Sequence, residues 1–176
     1  MEQWVSVIKN SIGHIAPNFT MKRQLDDYYN RYYNKLAVSG AAVNANDYMT
    51  ARELASWKHK VVQNWEKIKV EKINFHEIVK DALYMGEEYF GEVVLDLGGL
   101  DANDIGVEMV MTEVANGGSK LLSTTQLTLQ KAEGRFAHYS IELRPVKPGN
   151  FNYGFRLFPK NAKLIHRTDF ALVKWL

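Results

Sequence analysis

No cysteine occurs in the 176 residues, which excludes disulfides, a thiolate nucleophile and any Cys-ligated metal. Neither sign of charge dominates: 22 Lys and Arg stand against 20 Asp and Glu, for a formal charge of +2. So even a balance gives no electrostatic case for nucleic acid or an anionic membrane. No apolar run approaches the about 20 residues needed to span a bilayer. The opening MEQWVSVIKNSIGHI carries Glu2 and breaks its apolar stretches with Lys9 and Asn10, which is not the form of a signal peptide. The expectation is a soluble, cytoplasmic chain. What remains is ordinary for a globular fold, with 46% hydrophobic and 24% charged residues and a length suited to one large domain or two small ones.

The chain changes character near residue 68. Before it, apolar residues recur at helical spacing. Trp4, Ile8 and Ile12 form one stripe, with Val5 beside them. Pro17 interrupts that stripe, because a helical proline removes a donor and clashes with the preceding turn. Asn18 or Thr20 can cap a second helix, carrying Met21, Leu25, Tyr28, Tyr29, Tyr32 and Leu36 on one face and ending at Val38-Ser39-Gly40. A third helix starts around Asn46 or Asp47 and should bury Leu54, Trp57, Val61, Trp65 and Ile68.

From Val70 onward the period becomes two. Val93, Leu95 and Leu97 alternate with Val94 and Asp96, and Val107, Met109 and Met111 with Glu108, Val110 and Thr112. Tyr139, Ile141 and Leu143 repeat the pattern, as do Tyr153, Phe155 and Leu157. Each run predicts a strand with one buried and one wet face. Gly98-Gly99, Asn116-Gly117-Gly118, Glu133-Gly134 and Pro148-Gly149-Asn150 supply the turns. About seven strands are expected, near 69–76, 89–97, 106–115, 121–131, 135–144, 151–158 and 170–175. Short strands without intervening helices favour an antiparallel, immunoglobulin-like β-sandwich. The fold class is therefore α+β in two parts, helices over 1–68 and a sandwich over 69–176.

Residues with catalytic potential are scattered. His14, His59, His76, His138 and His166 make no HExxH or His-x-His arrangement. There is no Gly-x-Ser-x-Gly elbow. Gly117-Gly118-Ser119-Lys120 resembles a phosphate cradle but lies between strands, without the helix N-terminus that would hold the anion. Asp26 and Asp27 are about 100° apart on a helix and do not face each other; salt bridges to Arg23 or Arg31 account for them. Asp101, Asn103 and Asp104 begin like a calcium loop but lack its later Gly and Glu, so a turn or short helical cap is expected. The expected catalytic, cofactor-binding and metal residues of this chain are therefore none. Aromatic rings offer a different chemistry, and Tyr84, Tyr89, Tyr153, Phe158 and Trp175 are candidates for a sugar platform.

Resemblance adds to these readings. Trp4 to Tyr33, with Ser11-Ile12, Ile15-Ala16-Pro17-x-Phe19, Arg23, Tyr28-Tyr29 and Tyr32-Tyr33, resembles the last helices of the catalytic region of α-glucan (glycogen or maltodextrin) phosphorylases. Leu54 to Ile73 resembles the helix that follows in the shorter bacterial and archaeal branch. Asp96 to Met109 and Tyr153 to Trp175 resemble that branch's C-terminal β-domain. The resemblance implies a non-catalytic C-terminal fragment of a larger enzyme that phosphorolyses α-1,4-glucan to glucose 1-phosphate. It implies pyridoxal phosphate in the parent, on a lysine in a segment ending Ser-x-Met-Lys upstream of this sequence. Met21-Lys22 lacks that context, and the cofactor role does not transfer to Lys22. The implied partner is the remainder of the phosphorylase chain. The sandwich would serve packing, assembly or polysaccharide contact. An autonomous glucan-binding module and a ligand-free oligomerisation domain are the alternatives, and self-association through residues 1–40 is expected of the isolated chain.

Overall fold

The computed structural model describes residues 2–75, 83–115 and 118–176. Helices come first, followed by two antiparallel four-stranded sheets, which makes the chain α+β. His76 and the Asn116-Gly117 part of one expected turn lie outside the described residues. The chain divides into two compact units, Met1–Glu53 and Leu54–Leu176.

In the first unit, α1 covers Glu2–Asn10 and widens into a π-turn over Ser11–Ile15, where the Ala16 N–H donates to the Ser11 carbonyl. A 3-10 turn over Ala16–Phe19 then carries Pro17. Pro17 cannot continue an α-helical ladder, and the α-helix gives way to the wider turn just before it. Thr20 caps α2 (Met21–Tyr28) by accepting from the Arg23 N–H at 3.2 Å. A second π-turn, Tyr29–Tyr33, leads into α3, Asn34–Trp65. Here the sequence-based boundary is corrected. Val38-Ser39-Gly40 does not end the helix; the half-buried Gly40 is tolerated inside it, at about 1 kcal/mol, because Ala41 and Ala42 are strong helix formers. The interruption falls at Ala45–Tyr48, where Asn46, Asp47 and Tyr48 take left-handed conformations. Asn and Asp enter that region more readily than other side-chain-bearing residues.

In the second unit, the first sheet has the order β1-β2-β6-β5: β1 Lys69–Asn74, β2 Tyr89–Asp96, β5 Thr128–Glu133 and β6 Phe136–Leu143. The second has the order β4-β3-β7-β8: β3 Ile105–Ala115, β4 Gly118–Gln126, β7 Phe151–Pro159 and β8 Lys174–Trp175. The single strand expected over 121–131 is two strands in different sheets. Leu127 is the buried crossover point, its N–H donating to the Val107 carbonyl at 2.8 Å. The strand expected over 170–175 shrinks to Lys174–Trp175, because Arg167–Phe170 form a 3-10 turn capped by His166 and Asp169.

The core draws on both sheets and on the end of α3. Val93, Leu95, Tyr139 and Ile141 come from the first sheet; Val107, Met109, Phe155 and Leu157 come from the second. Val61 and Trp65 of α3 are buried with them, and Trp57 packs against the cluster, as the helical stripe predicts. Ile68 is buried too, while Leu54 is half-buried. Phe75 sits edge-on to Tyr153 and Phe155 at 4.9 and 5.5 Å.

The alternation rule is corrected at four positions read as wet, where Val94, Asp96, Glu108 and Val110 are buried. Asp96 accepts from the Gly98 N–H at 3.1 Å and from the Arg135 guanidinium, so its carboxylate ties the turn after β2 to the one before β6. Glu108 is neutralised by two arginines described below.

Candidate functional site

The outer face of the second sheet carries the strongest polar constellation among the described residues. Along β7, Phe155 and Leu157 turn into the core, so Gly154, Arg156 and Phe158 face outward. Their partners on β3 are Val110, Glu108 and Gly106. Glu108 receives the Arg156 Nε–H and both terminal nitrogens of Arg167, the latter at 2.7 and 2.8 Å. Burial pushes the Glu108 carboxyl up, but the hydrogen bonds from Arg167 and Arg156 outweigh it and hold the group below the ordinary carboxylate range. Glu108 is thus an ionised anchor, saturated with donors and unsuited to accepting a substrate proton.

The aromatics beside it divide. The Arg167 guanidinium lies 4.1 Å from the centre of the Phe158 ring, and that ring fills the space over Gly106 where a side chain would begin. Trp175, opposite Arg156 in register, lies against Gly154 with the guanidinium of Arg156 5.6 Å from its ring centre. Trp175 remains 57% exposed.

The structure therefore separates the five aromatics of the expected sugar platform. Tyr153 is on the inner side with Phe75 and Phe155. Tyr84 and Tyr89 are joined by the Tyr84 N–H donating to the Tyr89 hydroxyl at 2.9 Å. Phe158 is buried. Trp175 is the member with a broad exposed surface on a sheet.

The histidines stay apart. His14 meets the Asn10 carbonyl, His59 pairs with Gln63, and His166 caps a turn. His138 contacts Glu92 at 3.1 Å on the outer side of the first sheet. The hydrogen bond from His138, aided by Lys72, holds the Glu92 carboxyl below its usual range against a modest burial effect. No group of three or more His, Asp or Glu suited to a metal occurs among the described residues.

Asp26 pairs with Lys22 at 2.6 Å, and Asp27 pairs with both Arg23 and Arg31. Asp101 and Asp104 build a reciprocal cap around a 3-10 turn. Asp104 does more than the sequence indicated, accepting from Trp57 Nε1 at 2.8 Å and Lys60 Nζ at 2.9 Å and so fastening the end of α3 to the β unit. Ser119 and Lys120 belong to β4, a strand and not a phosphate cradle. Lys22 is 84% exposed at its side chain and held by Asp26. A Schiff-base lysine needs a desolvated pocket that suppresses its charge; the exposed, ion-paired Lys22 does not fit that role.

The first unit presents another kind of surface. None of its described residues is buried. Trp4, Ile8, Ile12, Leu25, Tyr29 and Tyr32 are all exposed, an apolar surface of the kind that marks an interaction site. No helix among the described residues is long and apolar enough to cross a membrane.

Comparison with known proteins sets the chain beside longer ones. The chain is 29% identical to a maltodextrin phosphorylase of Thermococcus litoralis over 178 aligned positions, covering 98% of this chain and 20% of the relative. It is 22% identical to a glycogen phosphorylase of Mycobacterium tuberculosis with the same coverage. Thirty-four residues are 44% identical to a glycogen phosphorylase of Aquifex aeolicus. The chain thus spans about a fifth of the length of the first two of these relatives. No solved structure matches it. Residues 65–176, which hold both sheets and the Glu108 cluster, match the glycogen phosphorylase C-terminal domain, and the chain belongs to that family.

Proposed function

We propose that the chain is the non-catalytic C-terminal part of an α-glucan phosphorylase, residues 1–68 finishing the catalytic body and residues 69–176 forming an accessory domain. The observation that carries this is the unburied helical unit on a chain collinear with a fifth of two phosphorylases. Burying an aromatic or branched aliphatic side chain stabilises by roughly 1.5–3 kcal/mol. The exposed stripe of Trp4, Ile8, Ile12 and Leu25 is therefore a surface made for a partner, here the remainder of the phosphorylase chain. Pyridoxal phosphate, and the phosphorolysis of α-1,4-glucan to glucose 1-phosphate, belong to that remainder.

The strand order supports an immunoglobulin-like sandwich for the accessory domain. Lettered A to G, with β4 as C′, the sheets read A-B-E-D and C′-C-F-G, the immunoglobulin arrangement with one added edge strand. Deprived of the catalytic body, the chain is expected to self-associate through residues 1–40.

The test is enzymatic. The purified 176-residue chain, given maltodextrin, phosphate and pyridoxal phosphate, should release no glucose 1-phosphate, whereas a chain extended by the in-phase upstream reading frame should release it. Phosphate-dependent release that scales with the isolated chain would overturn the proposal.

A further inference from the structure

We propose that Trp175 is the aromatic platform of an α-1,4-glucan contact on the outer face of the second sheet. The indole is seated, not merely exposed. Its Cζ3 and Cε3 lie 3.3 and 3.5 Å from where a Cβ on Gly154 would stand, so the absent side chain leaves room for that edge of the indole. Arg156, fixed by its own bond to Glu108, holds the ring from the sheet side. The strand carrying the ring is pinned on both sides: Lys174 Nζ donates to the Ile68 carbonyl at 3.1 Å, and the Leu176 N–H donates to the Phe155 carbonyl at 3.0 Å. A fixed aromatic ring with one side on protein and 57% of its residue surface open is pre-organised for a flat, partly apolar ligand.

The surroundings specify a sugar. On the same face, register places Gln126 beside Glu108, Thr124 beside Val110, and Asn152 one step beyond Gly154. All three are exposed and uncharged. Amide and hydroxyl groups both donate and accept, which matches a polyol's alternating demands. The carboxylate nearby is occupied by two arginines, so the cluster has no free acceptor and keeps one net positive charge, while Gln126, Thr124 and Asn152 are neutral. From β8 to β4 it crosses three strand spacings, about 14 Å, enough for several hexose units lying across the sheet. The ring face takes the C–H side of a sugar, and the amides take its hydroxyls.

The choice of an α-1,4-linked glucan rests on the proposed parentage. The experiment separates the two ideas by using the folded 176-residue chain and no phosphorolysis. Maltoheptaose is titrated by calorimetry against the unaltered chain, Trp175→Ala, Trp175→Phe, Gly154→Val and Asn152→Ala, with cellohexaose as the β-linked control and thermal melts to confirm folding. Binding of maltoheptaose in the millimolar range or tighter is expected, weakened tenfold or more by Trp175→Ala and Gly154→Val. Trp175→Phe should keep it within a few fold, and Asn152→Ala should weaken it about threefold. Absence of binding, unchanged affinity in folded Trp175→Ala, or preference for cellohexaose would overturn the inference, and each leaves the phosphorylase parentage to its own assay. Asn152→Ala keeps the test decisive should either bulky change prevent folding. An indole shielded from N-bromosuccinimide in the extended, active enzyme would equally overturn it, by showing that protein covers the ring.

Discussion

Trp65 and Trp4 both sit on apolar stripes of helices, yet Trp65 is 5% exposed and Trp4 is 67% exposed. The difference lies in what surrounds each stripe. Around Trp65 the sequence supplies two sheets whose inward residues close over it. Around Trp4 the helices of residues 2–53 run in succession and supply no second layer. Amphipathic periodicity states which face of an element wants to be covered, and leaves open whether the covering lies in the same chain. A buried stripe is a property of the β unit; an open one is a property of the helical unit.

The sharpest way to break this comparison is a pair of truncations. Phe155→Ala should cost about 3–5 kcal/mol, the range for a buried phenylalanine, whereas Trp4→Ala should lie within about 0.5 kcal/mol. Urea midpoints of the two variants measure it, and equal losses would mean that the helical unit has a core of its own.

A smaller effect is expected at Glu108. Its side chain is nearly inaccessible, while Arg156 and Arg167 keep access to water. Glu108→Gln should cost about 2–3 kcal/mol, somewhat below the range for breaking a fully buried pair. The pH dependence follows from the lowered carboxyl. Its contribution is fully present above the unfolded-state value near 4.5 and is lost as pH falls through the lower folded value. Midpoints for the two chains should therefore converge between pH 5 and the acid limit of folding. A constant gap across that window would remove the ion pair as the cause.

Two glycines sharpen the contrast further. A Cβ at Gly91 would stand 2.4 Å from Phe75 Cδ2, so Gly91→Ala should destabilise by about 1–3 kcal/mol through overpacking. At Gly40 nothing lies within 4 Å. Gly40→Ala should be neutral or stabilising by up to about 1 kcal/mol, through helix propensity alone. Thermal melts of both variants would register opposite signs.

Sequence periodicity located the inward strand residues well: Val93, Leu95, Val107, Met109, Tyr139, Ile141, Phe155 and Leu157 are all buried. It failed where side chains meet across distant strands. Glu108 reads as a wet residue within GVEMVM, and only the pairing of β3 with β7, with Arg167 above it, makes it a buried anion. The sheet change at Leu127 was hidden for a related reason. No glycine or proline marks it, and a strand that switches sheets keeps much the same local composition as one that does not. Turn chemistry was legible at Gly98 and Gly134, whose positive φ values a two-residue pattern cannot supply. Of the five aromatics singled out, alternation already put Tyr153 on the inward face with Phe155 and Leu157, whereas nothing in the sequence told that Trp175 lies on a glycine.

The pairing of β2 with β6, and of β3 with β7, has a temporal consequence. In each sheet the two central strands come from well-separated stretches of chain, so no sheet has its middle until most of the β unit has been synthesised. Loop closure on that scale places folding of the β unit in the millisecond-to-second range, while helices form within about a microsecond. Residues 2–53 leave the ribosome first and can coil at once, before residues 54–176 have emerged. At synthesis rates of about 5–20 residues per second, their apolar stripe is displayed for several seconds before the β unit is complete. In a longer phosphorylase chain, that interval is when the helices would find the catalytic body already made upstream of them.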